Sequence, residues 1–258
     1  MRFLSTRGHA PAATLSEAIA AGLAPDGGLY VPEALPRFDD ARGATLADTA
    51  IGLLAPFFAG DALAPHLEAL CAHAFAFEAP LVPLAGEDAS VLELFHGPTA
   101  AFKDYGARFL AAALSRLNAG ASRPLTILVA TSGDTGSAVG AAFHGLPNVR
   151  VAILYPDGRV SPRQAHQLGC FGDNVRAFRV AGSFDDCQRM AKAAFADAAL
   201  RADVPLTSAN SISLGRLLPQ MAYYAHAALA GEAPLPFVVP TGNLGNAFAA
   251  ILARALGV

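Results

Sequence analysis

From Leu84 onward, short apolar segments alternate with longer amphipathic ones, and this pattern predicts strands separated by helices. The apolar segments predict strands at 91–95, 125–130, 149–155, 175–180 and 237–239. The amphipathic segments predict helices at 104–114, 184–200 and 214–229, with two more after the glycine-containing loops at 131–136 and 241–246. The alternation indicates an α/β fold, with a parallel sheet covered by helices on both faces. Ligands bind such sheets at the carboxyl ends of the strands, where both loops are predicted to lie.

The first 80 residues have a different pattern, in which short helices are mixed with turns. Thr14 and Glu17 form a capping-box motif that predicts a helix over 15–23, and PDGG at 25–28 predicts a tight turn before a short strand at 29–31. Further helical patterns cover 46–58 and 62–74. Two prolines at 80 and 83 suggest a boundary, so we expect a small mixed domain at 1–82 and an α/β domain at 83–258.

Composition excludes several classes of function. The 258 residues are 53% hydrophobic and 15% charged, with a net charge of −3. No run approaches the roughly 20 uninterrupted apolar residues of a membrane-spanning helix, and the arginines are too scattered to indicate a nucleic-acid surface. The three cysteines show no metal-ligand spacing, so we predict no metal site and reduced thiols in a cytoplasmic protein. Nothing in the sequence sets the oligomeric state.

The candidate for covalent chemistry is Lys103, which follows small or apolar residues and precedes an amphipathic helix. A lysine in that position faces the interior more readily than water. A desolvated amine loses part of its preference for the charged form and becomes available as a nucleophile or base. The alternative is a lysine whose stem covers apolar surface while its ammonium stays in solvent.

The two loops favour the first of these interpretations. The second glycine loop (residues 241–246, TGNLGN) joins a predicted strand to a helix, so its amides and the positive end of the helix dipole are suited to a phosphate. It lacks the patterns of a P-loop and of a dinucleotide fingerprint. An ordinary strand-to-helix turn remains the alternative for this segment.

The first glycine loop (residues 131–136, TSGDTG) carries three hydroxyls, on Thr131, Ser132 and Thr135, that are suited to donate to a carboxylate. Asp134 fits an anion site only as a helix cap or opposite a donor, and capping by Ser132 or Asp134 is the alternative role. Two such loops together with a semi-buried lysine indicate a phosphate-bearing cofactor and a carboxylate substrate.

A third polar cluster lies in the 207–211 segment (TSANS), with Arg216 following it. Ser208, Asn210, Ser211 and Arg216 fit a second phosphate. A helix cap with a surface arginine fits the same pattern, and the residues alone do not separate the two.

Longer motifs extend over the whole chain. They are STRG at 5–8, GLAPDGGLYVP at 22–32, LFHGPT at 94–99 leading to Lys103-Asp104, ATSGDTG at 130–136, YP at 155–156, SANSI at 208–212 and GNLGN at 242–246. Together they resemble the threonine synthase family, which consists of pyridoxal-phosphate enzymes of fold type II. The resemblance implies conversion of O-phosphohomoserine and water to threonine and phosphate, by γ-elimination and then β-addition of water.

The resemblance also implies roles for particular residues. Lys103 would form the Schiff base with pyridoxal phosphate and shuttle protons. The cofactor phosphate would be held by Gly242, Asn243, Leu244, Gly245 and Asn246. The first glycine loop, including Thr131, Ser132, Asp134 and Thr135, would take the substrate carboxylate. The substrate phosphate would meet Ser208, Asn210, Ser211 and Arg216.

Members of that family are longer than this chain. The resemblance places the last residue of this chain inside the helix after the second glycine loop. We therefore expect a truncated polypeptide with impaired activity and poor solubility, lacking the residue that faces the pyridine nitrogen. Two other functions stay open. One is another fold-type II enzyme, such as a dehydratase or a cysteine-synthase-like lyase, although those relatives lack the amino-terminal STRG and PDGGLYVPE segments. The other is a catalytically silent binding protein, which the presence of Lys103 argues against.

Overall fold

The computed structural model describes residues 1–38, 43–231, 235–240 and 242–258. In chain order its strands and helices are β1 (Phe3–Ser5), α1 (Leu15–Ala21), β2 (Tyr30–Pro32), α2 (Leu46–Phe58), α3 (Leu67–Ala74), β3 (Leu81–Pro83), β4 (Ser90–Leu92), α4 (Lys103–Leu117), β5 (Leu125–Ala130), α5 (Asp134–Phe143), β6 (Val149–Pro156), α6 (Pro162–Gly169), β7 (Val175–Val180), α7 (Phe184–Ala196), α8 (Ala198–Asp203), β8 (Leu206–Ser208), α9 (Leu214–Leu229) and α10 (Gly245–Leu256). A short 3₁₀ turn, Ala64–His66, precedes α3. None of the helices in these ranges is long and apolar enough to cross a bilayer.

The centre of the fold is a four-stranded parallel sheet with the order β7-β6-β5-β8. Successive residues of β5 face opposite sides: Ile127 belongs to the main hydrophobic core, whereas Leu128 packs in a smaller cluster with Cys187 and Ala191 of α7. Apolar residues on both faces are typical of a parallel strand that helices cover on both sides. The predicted α/β class, with a parallel sheet and helices on both faces, is confirmed.

The main core continues from the amino-terminal elements into the α/β part. It includes apolar residues of α1, α2 and α3 together with those of α4, α5 and α9. Phe58 of α2 meets Phe109 of α4 edge to face, with ring centroids 6.1 Å apart. One hydrophobic core therefore includes residues from both sides of position 82. The division into domains at 1–82 and 83–258 stays a prediction from the sequence.

Two predicted strands take a different place in the structure. Residues 237–239 belong to no sheet in the described part of the chain, and Val238 is 98% exposed. The sheet edge beside β5 is instead β8, where Leu128 is aligned with Ser208. The predicted strand at 91–95 is the short β4, which pairs antiparallel with β3 outside the central sheet. A short apolar segment sets no strand partner by itself, because the partner is chosen by packing.

Two predicted helices are divided in the structure. The segment at 184–200 is α7 followed by α8, since the Asp197 side chain accepts a hydrogen bond from the backbone N–H of Leu200 and starts a new helix. The segment at 62–74 is the 3₁₀ turn followed by α3. The predicted helices at 46–58 and 214–229 and the strands at 125–130 and 175–180 are confirmed at both ends.

A histidine at the contact between α2 and α9 is expected to make stability pH-dependent. Thr49 Oγ1 lies 2.8 Å from His226 Nδ1, and burial lowers the pKa of His226. The unfolded chain therefore binds this proton first, so the stabilisation is present above about pH 6.5 and is lost as the pH falls through the folded-state pKa. For this half-buried group we expect a loss below about 1 kcal/mol.

Urea unfolding at pH 7.5 and pH 5.5 measures the loss. His73 has a pKa lowered by burial and by Arg108, so it contributes a background of the same sign. The quantity to compare is therefore the change in the free energy of unfolding between the two pH values in wild type, minus the same change in His226→Asn. Equal pH dependence in the two proteins would show that His226 is not the group responsible.

Candidate active site

A cavity of about 230 Å³ lies where three helices begin: α4 at Lys103, α5 at Asp134 and α10 at Gly245. Its walls are formed by Phe102, Lys103, Ser132, Asp134, Thr135, Gln164, Ser211, Gln220, Pro240, Gly242, Asn243, Gly245 and Asn246. The amino-terminal end of each helix carries free N–H groups and the positive end of a dipole. The arrangement therefore favours negatively charged groups in this cavity.

Lys103 brings an amine into the cavity. Its side chain is 20% exposed, and Nζ lies 4.3 Å from the centre of the Phe102 ring. Nζ also donates to Asp134 Oδ2 at 3.5 Å, which makes the pair a weak ion pair. The structure thus gives the lysine an anionic partner that the sequence-based picture of a desolvated amine did not include.

The first glycine loop is shaped by the Thr131 hydroxyl. This buried group accepts from the backbone N–H groups of Gly133 and Gly136 and donates to the carbonyl of Gly133, each at 3.0 Å. Gly133 has φ of 150°, a conformation that L side chains rarely adopt. Because the Thr131 hydroxyl is engaged within the loop, Ser132 and Thr135 are the hydroxyl residues that reach the cavity wall.

The second glycine loop contributes a further part of the cavity wall. Leu244 has φ of 57° and no side chain caps α10, so the first N–H groups of that helix have no side-chain partner in the described structure. A Cβ on Gly242 would meet nothing within 4 Å, which leaves the backbone open to close approach. Thr241, the first residue of this loop, lies outside the described residues.

Not every residue of that loop points into the cavity. The Leu244 side chain is 65% exposed and is not part of the cavity wall. Asn246 lines the cavity, but its side-chain Oδ1 accepts a hydrogen bond from the buried Tyr223 hydroxyl of α9. Asn246 therefore also anchors the start of α10 to α9.

The 207–211 cluster is divided between the cavity and the interior. Ser211 lines the cavity, whereas Ser208 Oγ accepts from the backbone N–H of Asn210, and Asn210 Oδ1 accepts from that of Ile212. These last two interactions are local turn contacts.

The alternative interpretation of this cluster, a helix cap with a surface arginine, is wrong because Arg216 is buried. It is 1% exposed, one of its Nη atoms donates to the carbonyl of Ala209 at 2.9 Å, and it is absent from the cavity wall. Burial lowers the pKa of Arg216 to about 10, while the charges of Tyr223 and Asp104 act in the opposite direction. Among the described residues, its Nε has no hydrogen-bond partner.

Four cavity residues were not identified as site residues from the sequence, namely Phe102, Gln164, Gln220 and Pro240. Gln164 had a visible signal, because Ser161 and Gln164 form the capping box that starts α6. Its second contact, to Asp134, joins residues 30 positions apart and leaves no local pattern.

Comparisons with known proteins agree with this geometry. Residues 2–75 match the family described as "Threonine synthase N terminus", and residues 79–257 match the family described as "Pyridoxal-phosphate dependent enzyme". The chain is 42% identical to a threonine synthase of Pseudomonas aeruginosa and 40% identical to one of Escherichia coli. Both matches cover all of this chain, and they cover 58% and 62% of the respective relatives.

Solved structures give the same result. The crystal structure of pyridoxal-phosphate-bound threonine synthase from Brucella melitensis superimposes with a TM-score of 0.86 at 42% identity, and that of threonine synthase from Escherichia coli with 0.89 at 40%. All of this chain is covered, together with 58% and 61% of those chains, so it spans about three fifths of their length. The chain belongs to the family of pyridoxal-phosphate-dependent enzymes, and over its whole length it is similar to proteins named threonine synthase.

Proposed function

We propose that this chain provides the cofactor site of an enzyme that converts O-phospho-L-homoserine and water to L-threonine and phosphate. The observation that carries the proposal is that the Lys103 amine and the uncapped start of α10 line one cavity. The similarity to proteins named threonine synthase supports the choice of reaction. The cytoplasmic location expected from the sequence stays a prediction.

The residues present fit pyridoxal phosphate. A lysine amine for its aldehyde and a helix amino terminus for its phosphate occupy the same small cavity, and Gly242 leaves room for close approach of the phosphate. We assign the cofactor phosphate to the backbone of Gly242, Asn243, Leu244, Gly245 and Asn246. When bound, the cofactor supplies an electron sink that makes the substrate Cα–H more acidic.

The substrate carboxylate is assigned to the start of α5. Ser132 and Thr135 place hydroxyl donors there, and the helix dipole adds to their attraction for an anion. Thr131 serves this site indirectly, because its hydroxyl holds the loop in shape. Asp134 pairs with Lys103 and so leaves the binding of the anion to its neighbours.

The substrate phosphate is assigned to the side of the cavity that contains Ser211. Ser208, Asn210 and Arg216 are not among the residues that line the cavity, and they keep the segment in place through hydrogen bonds with its backbone. The Lys103 amine lines the same cavity, where it can carry a proton between carbon atoms of the substrate.

Substrate selection tests the proposal. The purified chain, loaded with pyridoxal phosphate, is expected to release phosphate from O-phosphohomoserine faster than it releases ammonia from threonine. Phosphate release is followed with a colorimetric assay and ammonia with a coupled dehydrogenase. If turnover is too slow to measure, each compound is titrated while the absorbance of the bound cofactor is recorded. A preference for threonine in both measurements would replace this function by that of a dehydratase.

A further inference from the structure

Gln164 of α6 connects a helix cap to the candidate catalytic amine. Its side-chain Nε2 donates to Asp134 Oδ1 at 2.8 Å, and the other carboxylate oxygen of Asp134 accepts from Lys103 Nζ at 3.5 Å. The two oxygens of one carboxylate therefore hold two different partners. This places Gln164 two hydrogen bonds away from the lysine nitrogen.

The orientation of the Gln164 amide is fixed by Ser161. The backbone N–H and the hydroxyl of Ser161 both donate to Gln164 Oε1, at 3.2 and 3.1 Å. Since these two donors hold the amide oxygen, the NH₂ end must face Asp134. The capping box of α6 thus sets the direction of a hydrogen bond inside the cavity.

Gln164 also packs against the backbone of the first glycine loop. A Cβ on Gly133 would lie 2.4 Å from Gln164 Nε2 and 2.7 Å from Cδ, so the amide rests directly on the glycine that precedes Asp134. The side chain consequently restrains both the backbone that carries Asp134 and the rotamer of its carboxylate.

We propose that Gln164 is a positioning residue, which acts through Asp134 to hold the Lys103 amine and so sets how readily that amine reacts. The importance of this for catalysis rests on the proposed function, whereas the effect on the amine does not. Lys103 must leave Asp134 before its nitrogen can bond to an aldehyde. A fixed Asp134 carboxylate slows that departure, and a carboxylate free to rotate is a weaker partner.

The composition of the chain offers a direct test. It contains two lysines, Lys103 and the exposed Lys192 on α7, so Lys192 is an internal reference for any amine-specific reagent. The protein without cofactor is treated with trace acetic anhydride at pH 8. Mass spectrometry of its peptides then gives the ratio of acetylation rates, Lys103 over Lys192.

Gln164→Met removes the amide but keeps a side chain of similar length over Gly133. If the hydrogen bond is what matters, this variant raises the ratio about two- to fivefold, the range expected for loss of a partly exposed ion pair. Asp134→Asn should raise the ratio by at least as much. In the double variant the two effects should not add, because both act through the same carboxylate.

Gln167→Met is the matched control, since Gln167 lies one turn further along α6, and the side-chain hydrogen bonds described for Asp134 come from Lys103 and Gln164. It should leave the ratio unchanged, and thermal melts must show every variant folded. An unchanged ratio in Gln164→Met, or a full further increase when Gln164→Met is added to Asp134→Asn, overturns the proposal. The assay uses neither cofactor nor substrate, so failure of the proposed reaction leaves its result readable.

Discussion

Lys103→Ala is expected to abolish covalent attachment of pyridoxal phosphate to this chain. Lys103 is the lysine whose amine lines the cavity with the start of α10, and alanine has no group that can bond to the aldehyde. The measurement is borohydride reduction after incubation with the cofactor, followed by mass spectrometry of the intact protein and its peptides. Wild type should gain one cofactor adduct, located at Lys103, and the variant should gain at least tenfold less.

Lys192→Ala is the control, because it removes the other lysine, which is exposed on α7 and is not among the residues that line the cavity. This variant should keep the full adduct. An adduct at Lys192 that equals the one at Lys103 in wild type would mean that the cavity confers no preference, and the cofactor assignment to this site would then fail.

Tyr105→Ala is expected to cost about 3–5 kcal/mol of stability, a large part of the 5–15 kcal/mol typical of a folded domain. The ring is fully buried, with centroids 5.8 Å from Phe75, 4.5 Å from Phe77 and 5.4 Å from Tyr223. It therefore joins the segment after α3 to both α4 and α9. Urea unfolding followed by circular dichroism gives the difference in free energy.

Tyr105→Phe separates the ring from its hydroxyl. Burial raises the pKa of Tyr105, so the group is a neutral donor at neutral pH, and it donates to the carbonyl of Glu78 at 2.8 Å. Losing this hydrogen bond should cost about 1 kcal/mol. If the phenylalanine and alanine variants were equally unstable, the contribution would lie in the hydrogen bond and the packing argument would be wrong.

Local sequence signals were reliable for several elements whose contacts join near neighbours. The capping box at Thr14 and Glu17 is present, with the Thr14 side chain accepting from the N–H of Glu17 and the Glu17 carboxylate accepting from Thr14. The strand at 125–130 and the helix at 214–229 have the predicted ends. In each of these cases the relevant contacts lie within a few residues, or the apolar period is long enough to identify the element.

Distant contacts were the ones that the sequence did not reveal. The residue type of Arg216 does not distinguish an exposed arginine from a buried one. Its burial against Gly106 follows from how α4 packs on α9. Residues 237–239 are as apolar as a strand, yet β8 takes the sheet edge next to β5. Gln164 was visible as part of a helix cap, but its contact with Asp134 was not.

The sequence by itself determined the chemistry available to this protein: one lysine ahead of an amphipathic helix, two glycine loops that precede helices, and motifs over the whole chain that place it in its family. These are properties of residue type and short spacing. The tertiary structure decided which of these groups meet, placing Lys103 against Asp134 and burying Arg216. The physical reason is that partners 30 or more residues apart are selected by packing of the whole core, which no local segment encodes.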